Sequence, residues 1–259
     1  MPYVDLLALV GEVNRPPGGN RTVGRLLQHC HLRPGLLVLH ACCNTGFLTR
    51  ELARRSGCRM VGVDISPRMV AAATSAAAKE GPNELVSFAQ GDTRALSFPD
   101  VMFDVVLSGG GLAFVTDQER AVAEWIRVTR PFGLIADAEL YYHKNPPASL
   151  RERVSAAIGV AVPQYTSSHW LALFRQPLLE RYHEHTEQVT VASSADIDSY
   201  CARMAAYVAA GEWPEESQQA LLTRFLHLFQ LFNENLSYMS YALLVFKRLP
   251  VGSQPSLYV

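Results

Sequence analysis

The stretch from Leu36 to Thr49, LLVLHACCNTGFLT, constrains the fold more than any other part of the chain. Leu36 to Ala41 is an apolar run broken only by His40, the pattern of a strand covered on both faces. Asn44, Thr45 and Gly46 are turn residues, and from Phe47 onward Leu48, Leu52 and Ala53 recur at helical spacing. A strand that turns directly into a helix leaves free N–H groups and a positive dipole end at the turn, which suits a polar or anionic ligand group. Eighteen residues beyond Gly46, a second run, Met60 to Val63, ends at Asp64. A carboxylate there is placed to accept from ribose hydroxyls, the logic of nucleoside-binding βαβ units.

The following segments repeat the alternation. Ser66 is an N-cap and Pro67 a first helical residue, so the alanine-rich run to Lys79 predicts a helix. Strands are expected at 85–89, 103–107 and 134–140, with a helix over 117–129 between the last two. This order predicts an α/β fold with a doubly wound, mostly parallel sheet. Beyond Tyr141, helices are expected over 150–160, 168–174, 195–211 and 214–236, with strands over 180–191 and 237–248. Near the start, a short helix over 3–13 precedes the helix-breaking run 14–21, and a further helix runs over 22–30. The expected divisions are an N-terminal helical cap (1–35), a core (36–142) and a remainder (143–259) whose helices at about 194–236 form a lid.

At 259 residues with 49% hydrophobic composition, the chain can bury a sizeable core. A formal net charge of −1 offers no general attraction to nucleic acid or an anionic membrane, and no apolar run reaches transmembrane length. The start lacks the basic region of a signal peptide, and five cysteines without a C-x-x-C form no disulfide framework. A cytoplasmic protein is expected. No metal site is expected either: His29 and His31 lack further ligands, and His183, His185 and Glu187 read as a solvated strand face.

Five segments, in order between Leu36 and Leu140, resemble the motifs of class I S-adenosylmethionine-dependent methyltransferases of the small-molecule type. Val38 to Gly46 is similar to motif I, an acidic residue followed by G-x-G-x-G, with His40 in place of the acid and Cys42 and Asn44 in place of two glycines. Val63-Asp64-Ile65-Ser66-Pro67-Arg68-Met69 resembles the second-strand motif, and Gln90-Gly91-Asp92 the adenine-side motif. Phe103-Asp104-Val105-Val106 resembles the fourth strand, and Arg127-Val128-Thr129-Arg130-Pro131-Phe132-Gly133 the R-V-L-K-P-G-G turn. The resemblance implies a Rossmann-like seven-stranded sheet with an antiparallel last strand. It also implies S-adenosylmethionine (SAM) as cofactor, with S-adenosylhomocysteine as product.

By the same resemblance Asp64 takes the ribose hydroxyls, Ile65 and Met69 pack on adenine, Asp92 accepts from the adenine amino group, and the Thr93 N–H lies near a ring nitrogen. Gly46 either permits close approach of backbone to ligand or packs helix on strand. A neutral His40 would accept from the methionine ammonium, so cofactor binding is expected to weaken as this imidazole titrates near pH 6.5. Cys42 and Asn44 narrow the turn. Ser108 and Gly109, in the run Ser108 to Gly111, sit where cofactor meets acceptor, and the run 14–21 is either a surface loop or a flap over SAM.

The acceptor is expected to be a small, fairly apolar molecule lined by Phe114, Tyr141, Trp170, Tyr207, Phe232 and Asn233. His143, after a strand's carboxyl end, is the first general-base candidate and His169 the second. Asn145-Pro146-Pro147 imitates the N-P-P-Y motif of nucleic-acid methyltransferases but follows the wrong strand and lacks the tyrosine. No nucleic-acid or membrane partner is therefore expected, and a homodimer is left open. Two other readings stay open here: a SAM-binding protein that does not transfer methyl, and a nicotinamide-dependent oxidoreductase.

Overall fold

The computed structural model describes residues 15–81, 84–159, 161–209 and 215–252. These fall into two compact units, a sheet unit (15–141, 165–187 and 241–252) and a helical unit (142–164 and 188–240). The expected division differs in two ways. The described part of the N-terminal cap belongs to the sheet unit, and the helical unit includes 142–164 besides the lid helices. The helix expected over 3–13 lies outside the described residues.

The strands are β1 (Leu37–Ala41), β2 (Arg59–Asp64), β3 (Val86–Gln90), β4 (Phe103–Ser108), β5 (Thr129–Tyr142), β6 (Leu179–Gln188) and β7 (Met239–Arg248). They form one sheet in the order β3-β2-β1-β4-β5-β7-β6. β1 pairs in parallel with β2 and β4, β2 with β3, and β4 with β5. β7 is antiparallel: Tyr238 O accepts from His143 N, just past β5, Met239 O accepts from Val189 N, and Leu249 N donates to Leu178 O.

Helices α1 (Asn20–His29), α2 (Phe47–Ser56), α3 (Pro67–Glu80), α4 (Gln118–Val128) and α6 (Ser167–Leu173) belong to the sheet unit. The central strands are apolar on both faces, and each face closes its own core. On one, Leu39, Val106 and Ile135 meet Val122 and Trp125 of α4 and Trp170 of α6. On the other, Val38, Val105 and Leu134 meet Val23 and Leu26 of α1 and Leu48 and Leu52 of α2. Fully burying each such aliphatic side chain is worth about 1.5–3 kcal/mol. Ser66 caps α3 by accepting from Met69 N, and Asp117 caps α4 by accepting from Arg120 N.

β5 starts five residues before the expected strand. Thr129 pairs with Phe103, and the residues read as a turn form an irregular stretch of the strand before pairing resumes between Leu134 and Val105. Phe132 holds φ 64° in a left-handed conformation where the family pattern carries glycine. Its ring is exposed, with the Lys247 ammonium 5.3 Å from its centroid.

The helical unit consists of α5 (Ala148–Ile158), α7 (Ser194–Ala209) and α8 (Glu215–Leu236). Leu150 and Val154 of α5 pack on Leu231 of α8, and the buried Tyr142 hydroxyl donates to Asn235 Oδ1 at 2.9 Å.

Candidate active site

The strand order reverses between β1 and β4, and in open α/β sheets the crevice outside the carboxyl ends at such a switch receives ligands. The β1–α2 turn stands there. Cys42, Asn44 and Gly46 have φ of 55°, 53° and 74°, so two side-chain-bearing residues hold the left-handed conformation that glycine adopts freely. Asn tolerates this state, and its Oδ1 accepts from Thr45 N at 2.8 Å. The Cys42 side chain is accommodated elsewhere: a Cβ on Gly111 would lie 2.3 Å from Cys42 Cβ. A Cβ on Gly46 would lie 2.7 Å from the Phe88 ring and 2.8 Å from Ala73 Cβ. Glycine at 46 thus serves helix–strand packing as well as backbone conformation.

Asp64 ends β2 with both oxygens engaged by backbone: Oδ2 accepts from Asn44 N at 2.8 Å and Oδ1 from Ser66 N at 3.0 Å. Burial raises its pKa, opposed by these N–H groups. Further lone pairs remain for a ligand. Ile65 is 63% exposed beside it, whereas Met69 is 1% exposed and packed inside. That corrects the expectation that both residues face adenine: Met69, on α3, turns into the core. The Asp92 carboxylate is gripped by Arg94, whose Nε and Nη2 reach it at 2.7–3.1 Å and hold its pKa below the usual range. Thr93 is buried, its hydroxyl accepting from Trp125 Nε1.

His40 departs from expectation. Its Nδ1 lies 2.7 Å from Thr49 Oγ1, both residues are buried, and burial pushes the imidazole down to about 3. It stays neutral across physiological pH, so no titration near 6.5 occurs in the folded protein. On β5 stand two acids that the apolar pattern concealed. Asp137 and Glu139 are each 2% exposed. Leu112 N and Ala113 N donate to Glu139 Oε1 at 2.9 and 3.3 Å. Both Asp137 oxygens and the Ser108 hydroxyl are buried without a hydrogen-bond partner among the described residues. The Ser108 hydroxyl and the Ala138 N–H act on Asp137 electrostatically but not at hydrogen-bond geometry. Burial raises both carboxyl pKa values well above normal, and Asp137 raises that of Glu139 further.

Gly109 and Gly110 lie under the N-terminal segment, where a Cβ would meet Pro16 and Pro17, each at 3.1 Å. Gly109 is also closed off by Leu48, 2.8 Å from such a Cβ. The segment 15–21 therefore packs on the glycines after β4, and Asn14 lies outside the described residues.

A niche missed by the sequence reading surrounds His169. Gln118 Nε2 donates to Leu112 O at 3.0 Å and to the Tyr165 hydroxyl at 2.9 Å. Its Oε1 faces His169 Nε2 at 2.9 Å. Since both amide hydrogens are committed, Nε2 carries the imidazole proton and Nδ1 the lone pair. Tyr165 stacks on His169 with centroids 4.4 Å apart, and burial lowers the histidine's pKa. Gln118 resembled an ordinary first-turn residue, and only the fold reveals its partners.

The other expected site residues are scattered. Phe114 is exposed, Tyr141 packs against the core, and Trp170 is wholly buried with Nε1 bound to Leu140 O. Trp170 is thus a core residue rather than lining. In the helical unit, Asn233 is spent on Ala192, accepting from its N–H and donating to its carbonyl, and Phe232 packs beside Leu150 and Val154. The Tyr207 side chain lies outside the described residues. His143, also in that unit, is exposed, with Nδ1 3.1 Å from Ser240 Oγ.

A family model described as a methyltransferase domain matches residues 38–133. The ubiquinone/menaquinone biosynthesis C-methyltransferase UbiE of Hahella chejuensis is 30% identical over 177 residues, 66% of this chain and 69% of that one. The chain belongs to the class I S-adenosylmethionine-dependent methyltransferases. A 2-phytyl-1,4-naphtoquinone methyltransferase of Nostoc punctiforme is 28% identical over 163 residues, 62% of this methyltransferase and 71% of that one. Among solved structures, MccD protein superposes with a TM-score of 0.74 at 25% identity, covering 91% of the methyltransferase and 100% of that chain.

The methyltransferase uses SAM as its cofactor and methylates a small molecule. The residues present fit the cofactor. Asp64 offers a backbone-fixed carboxylate at a strand end, Ile65 an exposed apolar surface beside it, and Ser108 and Asp137 unpaired polar atoms across the switch point. Among the described residues no group of histidine, cysteine and carboxylate side chains could hold a metal ion, and no helix is long and apolar enough to cross a membrane.

Proposed function

We propose that this methyltransferase transfers the methyl group to a small apolar molecule whose reacting atom is activated by loss of a proton to His169. One observation carries this reading. The Gln118 amide fixes the His169 tautomer so that Nδ1 is a free lone pair, and burial keeps the ring neutral at pH 7. Bound SAM supplies an electrophilic methyl beside a sulfonium charge that transfer cancels. The chain's part is alignment, exclusion of water and removal of the acceptor proton. Asp64 accepts from the ribose hydroxyls, Ile65 covers one adenine face, and Asp92, steadied by Arg94, accepts from the adenine amino group.

The similarity to proteins named for quinone and naphtoquinone methylation supports a ring carbon adjacent to a hydroxyl-bearing carbon as acceptor. Such a carbon becomes nucleophilic when the neighbouring hydroxyl is deprotonated, which gives a neutral imidazole its task. Five free cysteines support a reducing cytoplasmic setting.

The test incubates the protein with SAM and a panel of hydroxylated naphthalenes and benzenes, and follows a methyl mass increment. His169→Ala is expected to lower kcat about 10²–10⁴-fold with SAM affinity retained. An unchanged rate would remove His169 from the chemistry.

A further inference from the structure

A SAM site normally sets a negative charge against the cationic methionine end, and in this family pattern the motif I acid at the end of β1 supplies it. Here that position is His40, neutral and bound to Thr49. The charge must come from elsewhere or be absent. Asp64 is turned to the turn backbone through Asn44 N and Ser66 N, and Asp92 to Arg94. At the carboxyl ends of the inner strands two further carboxyls remain, both on β5.

The sheet register places them. His40 pairs with Leu107 and Leu107 with Ala136, while the next residues, Ser108 and Asp137, pair with each other. Ser108 and Asp137 therefore share one face of the sheet, and His40 lies on the opposite face. Glu139, two residues beyond Asp137, shares its face. The glycines that follow Ser108 close over the motif I turn, with Gly111 against Cys42. Burial is the main cause that pushes the Cys42 thiol up, and Asp64, Glu139, Asp137 and Asp92 each add to it, so the acids of β2 and β5 both act on the turn.

An unpaired buried carboxyl is costly unless it is protonated or meets a cation. Among the described residues neither Asp137 oxygen nor the neighbouring Ser108 hydroxyl has a partner at hydrogen-bond geometry, although Ser108 acts on Asp137 electrostatically and both are almost wholly inaccessible. Glu139, by contrast, has Oε1 held by two backbone N–H groups at the 3-10 turn Leu112–Phe114, which fixes its direction. We propose that Asp137, with Glu139 beside it on the same face of β5, replaces the missing motif I acid as the carboxylate facing the cationic methionine end of SAM. The negative charge of the site has moved from β1 to β5, across the switch point and to the other face of the sheet.

This assignment has a consequence in protons. Burial raises both carboxyl pKa values and Asp137 raises that of Glu139 further, so the ligand-free pair holds protons to higher pH than ordinary carboxyls. The arriving sulfonium and ammonium favour the ionised form, and a proton leaves to solvent. Cofactor binding is then coupled to proton release, and the uncharged thioether of S-adenosylhomocysteine draws less of it.

The inference rests on the reading of the β1–α2 turn as the SAM site, and wild-type binding of SAM tests that reading separately. Calorimetry of the full chain near pH 6.5, in buffers of different ionisation enthalpy, measures affinity and proton stoichiometry together. Wild type is expected to release about one proton on binding SAM and less on binding S-adenosylhomocysteine. Asp137→Asn, which resembles the protonated acid, should fold normally and abolish the release. It should bind SAM about 10- to 100-fold more weakly, with a smaller loss for S-adenosylhomocysteine. Glu139→Gln should lower the release in part. Equal affinity of wild type and Asp137→Asn, with equal proton release, would overturn the proposal. Should Asp137→Asn not fold, the wild-type measurement still decides: binding of SAM without proton release would overturn it.

Discussion

His40 gives the account its sharpest thermodynamic handle. An imidazole in the unfolded chain titrates near 6.5, whereas burial beside Thr49 pushes it to about 3 in the folded protein. Between these values the unfolded state binds a proton that the native state refuses, so this group removes stability as pH falls below about 6.5. The slope approaches about 1.4 kcal/mol per pH unit, and the full loss is about 4–5 kcal/mol by pH 3. His40→Asn keeps a polar partner for Thr49 and carries no titratable group. At pH 8 the variant is expected to be less stable by about 1 kcal/mol, from imperfect replacement of a buried hydrogen bond. By pH 5 that deficit should vanish and reverse by about 1 kcal/mol, because only wild type loses stability at this position. The titrations of Asp137, Glu139 and the surface carboxylates cancel in the difference. Urea denaturation of both proteins at pH 8, 7, 6 and 5 provides the test. A difference in unfolding free energy that stays constant with pH would mean the native imidazole titrates normally, and the placement of His40 would be wrong.

Two further perturbations probe the packing that supports the site. Gly111 has an ordinary φ of −91°, so Gly111→Ala should cost about 1–3 kcal/mol only because its methyl strikes Cys42, and Cys42→Gly should recover much of that loss in a thermal double-mutant cycle. In the helical unit, Tyr142→Phe leaves the buried Asn235 Oδ1 without its donor and should lower stability by about 1–3 kcal/mol in urea titration, with SAM affinity unchanged.

The central strands were legible because they are buried on both faces and so written as apolar runs closed by turn residues. β1, β2 and β4 lie within a residue or two of their expected limits for that reason, and the partly exposed edge strand β3 was legible from the turn residues that bound it. β5 was cut short because Pro131 and Gly133 read as a turn, although an irregular stretch of the strand with one left-handed residue accommodates both. On the cofactor side the sequence placed Asp64 at the end of β2 with Ile65 following it, since a strand end has a fixed direction. Met69 departs from its expected place, because its rotation about α3 depends on packing that no local pattern specifies. Asp137 and Glu139 alternate with Ala136, Ala138 and Leu140 like a strand with one wet face, and nothing local says that both acids are buried. Gln118, Tyr165 and His169 meet only through the fold, from segments nearly fifty residues apart.

The central claim is that the β1–α2 turn and the β2 carboxylate hold SAM. Isothermal calorimetry of SAM binding to wild type and to Asp64→Asn tests it most directly. Asn at 64 retains an oxygen for one backbone N–H but loses the charge that strengthens bonds from ribose hydroxyls, each worth about 1.5–3 kcal/mol. The account predicts measurable binding by wild type and an affinity at least about tenfold lower for the folded variant. Equal affinity of the two proteins would contradict it.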